Sequence, residues 1–295
     1  MRRRLAPSWL VAVWALITAW ALAVPAGADP PIWRVRGPHG APVVLFGSVH
    51  VLDDHATWRT PALASAIASA DTVWFEVDNS LASRAQGAQI AARLGRLPRG
   101  TTLSAYLPRG GRALLERTAA RVGLPMQQLQ TLRPWYAEVL LSVADLQRQG
   151  ARQGLGVEEQ IATSLPASAR RRALETAADQ IGMLANQPMR DQVASLMATM
   201  REMERDPNGF VRLQKAWVDG DVGWIQRQAL SPMKAKTPRL YARLVVERNR
   251  RWVSRIERLL NGSEQALIVV GVGHLIGPDG VPAMLRRKGF VVEGP

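Results

Sequence analysis

Short runs of apolar, β-branched residues recur near both ends of the chain, and a long stretch of helical spacing separates them. Ile32 to Arg36 and Val43 to Phe46 flank Gly37-Pro38-His39-Gly40 and predict a hairpin. Thr60-Pro61, a cap followed by proline at the first helical position, opens a helix over Ala62 to Ala70. Asp71 to Val77 predicts a further strand, parallel to the one before it if the short helix between them is a crossover. From Leu81 to Leu260 the apolar spacing is mostly helical, broken at Leu97-Pro98-Arg99-Gly100, Arg109-Gly110-Gly111, Gly123-Leu124-Pro125 and Asp206-Pro207-Asn208-Gly209. Strand spacing returns at Ala266 to Val270, then a helix around Ala283 to Lys288 and a last strand at Phe290 to Val292. The pattern predicts an α/β fold: a β-sheet core built from both ends of the chain, with a large, mostly helical insertion at roughly residues 81–260.

Two of these strands end alike. Val43-Val44-Leu45-Phe46 runs into Gly47-Ser48-Val49-His50, and Ala266-Leu267-Ile268-Val269-Val270 runs into Gly271-Val272-Gly273-His274. The chain has four histidines, and two of them occupy this one setting. Glycine lets the backbone turn sharply at a strand end, and the carboxyl edge of an open α/β sheet is where ligands bind. Two imidazoles there are placed to share one metal ion or one substrate. Glu76 follows Val73-Trp74-Phe75 near the end of its own strand, so it is expected at the same edge, partly covered and in need of a cation or a metal. Tyr241, Leu244, Val245, Trp252, Ile256 and Leu259 form an apolar helical stripe, and Arg248 falls inside it. A buried arginine must meet a carboxylate or an anionic ligand. His55, in Asp53-Asp54-His55, reads either as a further ligand or as a surface turn, and His39 as a solvent-facing turn residue. Trp58, Trp135, Trp217, Trp224 and Trp252 read as core packing, with Trp135 also placed to line a cleft.

Composition narrows the function. With 47% hydrophobic residues in 295, the chain can bury a substantial core. Arg2-Arg3-Arg4, an apolar stretch from Leu5 to Val24 and Ala26-Gly27-Ala28 describe a secretory signal peptide over residues 1–28, leaving one domain over residues 29–295 in the periplasm or outside the cell. The alternative is an uncleaved anchor, the only membrane contact the sequence implies. No cysteine is present, which excludes disulfides, thiol catalysis and thiolate-bound zinc. The formal charge of +14 is spread over helix-like segments rather than gathered into a binding motif, so no nucleic-acid partner is expected.

Phe46-Gly47-Ser48-Val49-His50-Val51-Leu52, Thr72-Val73-Trp74-Phe75-Glu76-Val77-Asp78 and Gly271-Val272-Gly273-His274-Leu275-Ile276-Gly277-Pro278-Asp279-Gly280 resemble the signatures of the TraB/GumN family, bacterial relatives of the Tiki metalloproteases. Pro134-Trp135, Leu174-Glu175-Thr176 with Gln180, Ala216 to Asp221 and Arg248-Asn249 follow in the family's order. Arg170-Arg171-Arg172-Ala173 departs from the glycine- and valine-rich strand usual before Leu-Glu-Thr. The resemblance implies a metal-dependent hydrolase, with a peptide or protein as the favoured substrate. His50, Glu76 and His274 would hold a divalent ion (zinc, manganese or cobalt), whose bound water would have a pKa lowered to about 7. Glu175 would join the site, and Arg248 and Asn249 would orient or stabilise substrate. No HExxH helix is present, so a zincin site is excluded. The same constellation also suits a small-molecule esterase, or a non-catalytic protein binding haem or another anionic ligand.

Overall fold

The computed structural model describes residues 29–38, 41–50, 52, 56–152 and 154–295. Residues 1–28, expected from the sequence to be a signal peptide, and His39 and His55 lie outside the described residues.

Six strands form one sheet: β1 (Ile32–Arg36), β2 (Pro42–Ser48), β3 (Thr72–Val77), β4 (Arg170–Glu175), β5 (Ala266–Gly271) and β6 (Val291–Glu293), in the order β4-β3-β5-β2-β1-β6. β4, β3, β5 and β2 are parallel, and β1 runs antiparallel to both β2 and β6. The predicted hairpin is therefore β1–β2, with Val35 opposite Val43. The helix Pro61–Ser69 carries the chain from β2 to β3, and Thr60 caps it by accepting from the Leu63 N–H. β5 is buried along almost its whole length because it lies between β3 and β2, which explains a run of five aliphatic residues without polar alternation.

One strand comes from the middle of the chain. β4 pairs with β3 at the sheet's edge, and its Arg170, Arg171 and Arg172 are exposed. An edge strand with charged side chains resists pairing with another molecule, so arginines stand here where an inner strand would need valine. The insertion is thus helical except for this strand. Its helices Gly111–Val122, Pro134–Arg148 and Met189–Arg205 close around Leu115, Leu141, Leu196 and Met200, a second apolar cluster beside the sheet core. Phe46, Trp58 and Trp217 pack together in the sheet core, with Phe46 and Trp217 edge to face, and Trp217 Nε1 donates to the carbonyl of Gly47 (2.7 Å) and fixes the first glycine turn. The helix Glu247–Leu260 buries Trp252, Val253 and Ile256 in the same core, and a π-helical turn, Ala242–Val246, leads into it.

Candidate active site at the carboxyl edge of the sheet

Since β2, β3 and β5 are parallel, their carboxyl ends share one edge, and His50, Glu76 and His274 come with them. Gly271 is the point they surround. A Cβ there would lie 3.1 Å from Glu76 Oε1, 3.8 Å from His50 Nε2 and 3.9 Å from the His274 ring. Its backbone N–H donates to Glu76 Oε1 (2.7 Å), so the last residue of β5 both anchors the carboxylate and leaves the space above it clear.

Arg248 is the hub of the buried part. Its Nη2 donates to Glu76 Oε2 (2.6 Å), its Nε to Glu175 Oε2 (2.9 Å), and its Nη1 to His274 Nε2 (3.0 Å) and the Leu244 carbonyl (3.3 Å). The sequence left a carboxylate or an anionic ligand as its partner; two carboxylates meet it. Gln180 donates to Glu76 Oε2 (3.2 Å), while Arg251 and Trp252 Nε1 donate to Glu175 Oε1 (3.2 and 3.1 Å). Two buried carboxylates are offset by cations and donors on every side, which makes the cluster tolerable in the interior.

Asn249 is fully buried and fixes the second histidine. Its Nδ2 donates to the carbonyls of His274 (3.1 Å) and Asp279 (2.7 Å), which turns Oδ1 toward His274 Nδ1 (2.7 Å). Nδ1 therefore carries the ring proton and the Nε2 lone pair accepts from Arg248. Burial lowers the His274 imidazole, Glu76 opposes this, and with Arg248 and His50 adding to burial the pKa falls to about 4. Glu76 behaves oppositely: burial would raise it, but His274, Arg248, His50 and the Gly271 N–H outweigh burial and bring it down to about 2. At neutral pH the site holds a neutral imidazole and an anionic carboxylate clamped by a guanidinium.

His50 stands at the rim. Its side chain is 70% exposed, and its Nδ1 meets Glu158 Oε1 (2.8 Å), which also accepts from Ser48 Oγ (2.6 Å). The Glu158 carboxylate raises the His50 pKa to about 9 by its charge and its hydrogen bond, against partial desolvation. Burial would raise Glu158 itself, but His50 and Ser48 outweigh it and hold the carboxyl low. Sequence reasoning missed Glu158. It lies in the first turn of the helix Val157–Ser164, where an acidic residue reads as an ordinary helix start. The signal that marks it is Gly156, where a Cβ would come within 2.3 Å of the His50 carbonyl oxygen, so glycine alone lets this helix start against the His50 loop.

Two imidazoles and a carboxylate are the donor types that a catalytic divalent ion takes, with bonds of about 2.0–2.2 Å. Their disposition here does not fit one. Among the described residues no three histidine, aspartate or glutamate side chains are grouped as one ion requires. The physical reason is Arg248, which takes the His274 Nε2 lone pair and one Glu76 oxygen while Gly271 takes the other. A dication there would also face the guanidinium charge at close range. Arg248 occupies two of the three expected ligands, Glu76 and His274, while His50 pairs with Glu158, so these side chains as they stand do not fit a shared zinc, manganese or cobalt ion.

A mostly parallel α/β sheet with an arginine-clamped glutamate and two histidines at its carboxyl edge defines a protein whose edge can polarise a bound group. Over residues 31–294 the chain matches the TraB/PrgY/gumN family, and it belongs to that family. No curated protein and no solved structure matches it.

Proposed function

We propose that this chain is a hydrolase of acyl bonds, with amides as its substrates and His50 as its proton carrier. The observation that carries the reading is the Glu158–His50 pair: Glu158 holds the Nδ1 proton, so the neutral ring presents the Nε2 lone pair on the side of Gly271 and Glu76. A water between His50 and the substrate carbonyl gives its proton to Nε2 as its oxygen attacks the carbonyl carbon. Negative charge develops on the carbonyl oxygen. Arg248 supplies the opposing charge, and its Nη2 keeps one N–H beyond the bond to Glu76. Protonated His50 then gives its proton to the leaving amine, the C–N bond breaks, and acid and amine depart. Glu76, Glu175, Gln180 and Asn249 hold Arg248 and His274 in place and act as positioning residues.

The test is hydrolysis of fluorogenic peptides by the protein after exhaustive dialysis against a chelator, beside the His50→Asn variant. Turnover should survive chelation and fall by about 10²–10⁴ in His50→Asn, the range for loss of a positioned acid–base group. Turnover lost on chelation and restored by manganese or zinc would sink the metal-free reading. Equal turnover by His50→Asn would remove His50 from the mechanism.

A further inference from the structure

A cavity of about 700 Å³ lies beside Glu175, between the helix Ala177–Ala185 and the helix Glu247–Leu260. Four arginines line it. Arg251, Arg255 and Arg258 follow one another at spacings of four and three residues, which puts them on one face of the second helix, and Arg243 comes from the π-helical turn before it. Glu175 and Trp252 line the cavity too, so the buried cluster of the carboxyl edge forms part of its wall.

The protein does not use up these guanidinium groups. Arg251 Nη2 meets Glu175 Oε1 (3.2 Å) and Met183 Sδ (3.9 Å), both on the wall, and Arg255 Nη1 donates to the Ala173 carbonyl (3.1 Å). Each contact leaves most of a five-donor fork free. Arg243 and Arg258 have no hydrogen-bond or ion-pair partner among the described residues. Three carboxylates line the same cavity, but Glu175 is committed to Arg248, Arg251 and Trp252, and Asp179 to the Thr176 cap of its own helix. Glu247, the third, makes no ion pair among the described residues. Counting Arg248, which shares Glu175, five guanidinium groups stand against three carboxylates, an excess of two positive charges.

We infer that this cavity is a binding site for a phosphate monoester. The phosphate group carries about −1.5 to −2 and offers three acceptor oxygens, which matches the excess, whereas a carboxylate would leave one positive charge unmatched. Guanidinium forks also suit it in shape, since two parallel N–H groups meet two phosphate oxygens. The volume falls in the roughly 300–1,000 Å³ range of small-ligand sites, so the organic body of the ester has room beside the phosphate. Glu175 connects the site to the edge: Oε1 takes Arg251 and Oε2 takes Arg248, so an anion that draws Arg251 away acts on the hub through one carboxylate. The site goes beyond the hydrolase reading, and its test does not depend on that reading.

The test is calorimetric titration of the protein with glycerol phosphate at about 150 mM salt, where a Debye length of about 8 Å suppresses loose attraction to a chain of this charge. A second arm is co-sedimentation with phosphatidylcholine vesicles carrying phosphatidic acid, the same group on a lipid. Arg243→Gln with Arg258→Gln removes two guanidinium groups that make no other polar contact, so folding should be unchanged while the dissociation constant rises at least about tenfold. Arg99→Gln with Arg109→Gln removes the same charge from exposed turns of the insertion and should alter it by less than about twofold. Saturable binding of glycerol phosphate assigns the site to a soluble phosphoester; binding to the vesicles alone assigns it to a lipid headgroup. No saturable binding in either arm, no greater weakening by the Arg243 and Arg258 pair than by the control pair, or acetate bound as tightly as glycerol phosphate would overturn the site.

Discussion

With its Nδ1 proton drawn to Glu158, His50 titrates above the ordinary imidazole range, and this sets a sign for the pH profile. The ring accepts a proton from water only when it is neutral, so turnover should climb as pH rises through the raised value of about 9. Glu158→Gln removes the charge that favours imidazolium. The acid limb of kcat/KM should therefore move down toward the ordinary 6.5, read from turnover at half-unit steps between pH 5 and 10. A limb that stays in place would mean that another group controls the rate. The stability sign is opposite: a pKa raised by folding contributes stability that is present below 6.5 and lost as pH rises through the folded value. Solvent screens a side chain that is 70% exposed, so this contribution is small. At this scale the sequence carried a good part of the arrangement. Two strand-end histidines and Glu76 are legible because an apolar run ends visibly, and Arg248 because it interrupts an apolar stripe. Glu158 was not legible, since an acidic residue in a helix's first turn is ordinary, and Gly156 marks it only once the helix is seen starting against the His50 loop.

The elements show what side-chain pattern conveys and what it hides. The hairpin, the Thr60-Pro61 helix start and the buried β5 all follow from local chemistry, because turn residues, a cap and a β-branched run each act within a few residues. β4 is different. Three consecutive arginines give no two-residue alternation, and the segment is a strand because the open edge of β3 offers backbone partners. Arg170 is paired with Glu264, and Arg171 donates to the Ala162 carbonyl, which ties the edge strand to its surroundings. Arg171 and Arg172 also keep that edge charged. Replacing both with valine should raise strand propensity while making the edge adhesive, so light scattering should report concentration-dependent association where the parent protein stays monodisperse. A double variant that remains monodisperse at the same concentrations would show that the edge is protected by something other than charge.

Across the whole molecule, the sheet's two central strands come from opposite ends of the sequence: β2 pairs with β5, register Val43 to Ala266 through Ser48 to Gly271. The helical cluster around Leu115 and Leu141 has an apolar core separate from that of the sheet. Removing residues 261–295 should therefore leave much of the far-ultraviolet helical signal and abolish the cooperative thermal transition. A sharp transition in the truncated protein would show that the sheet closes without β5. The general organisation was visible in the sequence because strand-like and helical periodicities occupy separate stretches. The arrival of Glu158 at the edge was not, because it depends on how the insertion folds back, and Glu175 and Asn249 were expected there through the family resemblance alone.

The pairing of β2 with β5 also sets a clock. A chain made N-terminus first completes the apolar β2 long before its neighbour exists. At the roughly 5–20 residues per second of synthesis, the wait is about ten to forty seconds. During that interval Val43 to Phe46 has no partner on the β5 side and is a target for chaperones or for other nascent chains. His50 and Glu76 are made well before His274, so no partial product of the ribosome that stops short of His274 carries the cluster, and its chemistry cannot begin before β5 and the turn after it exist.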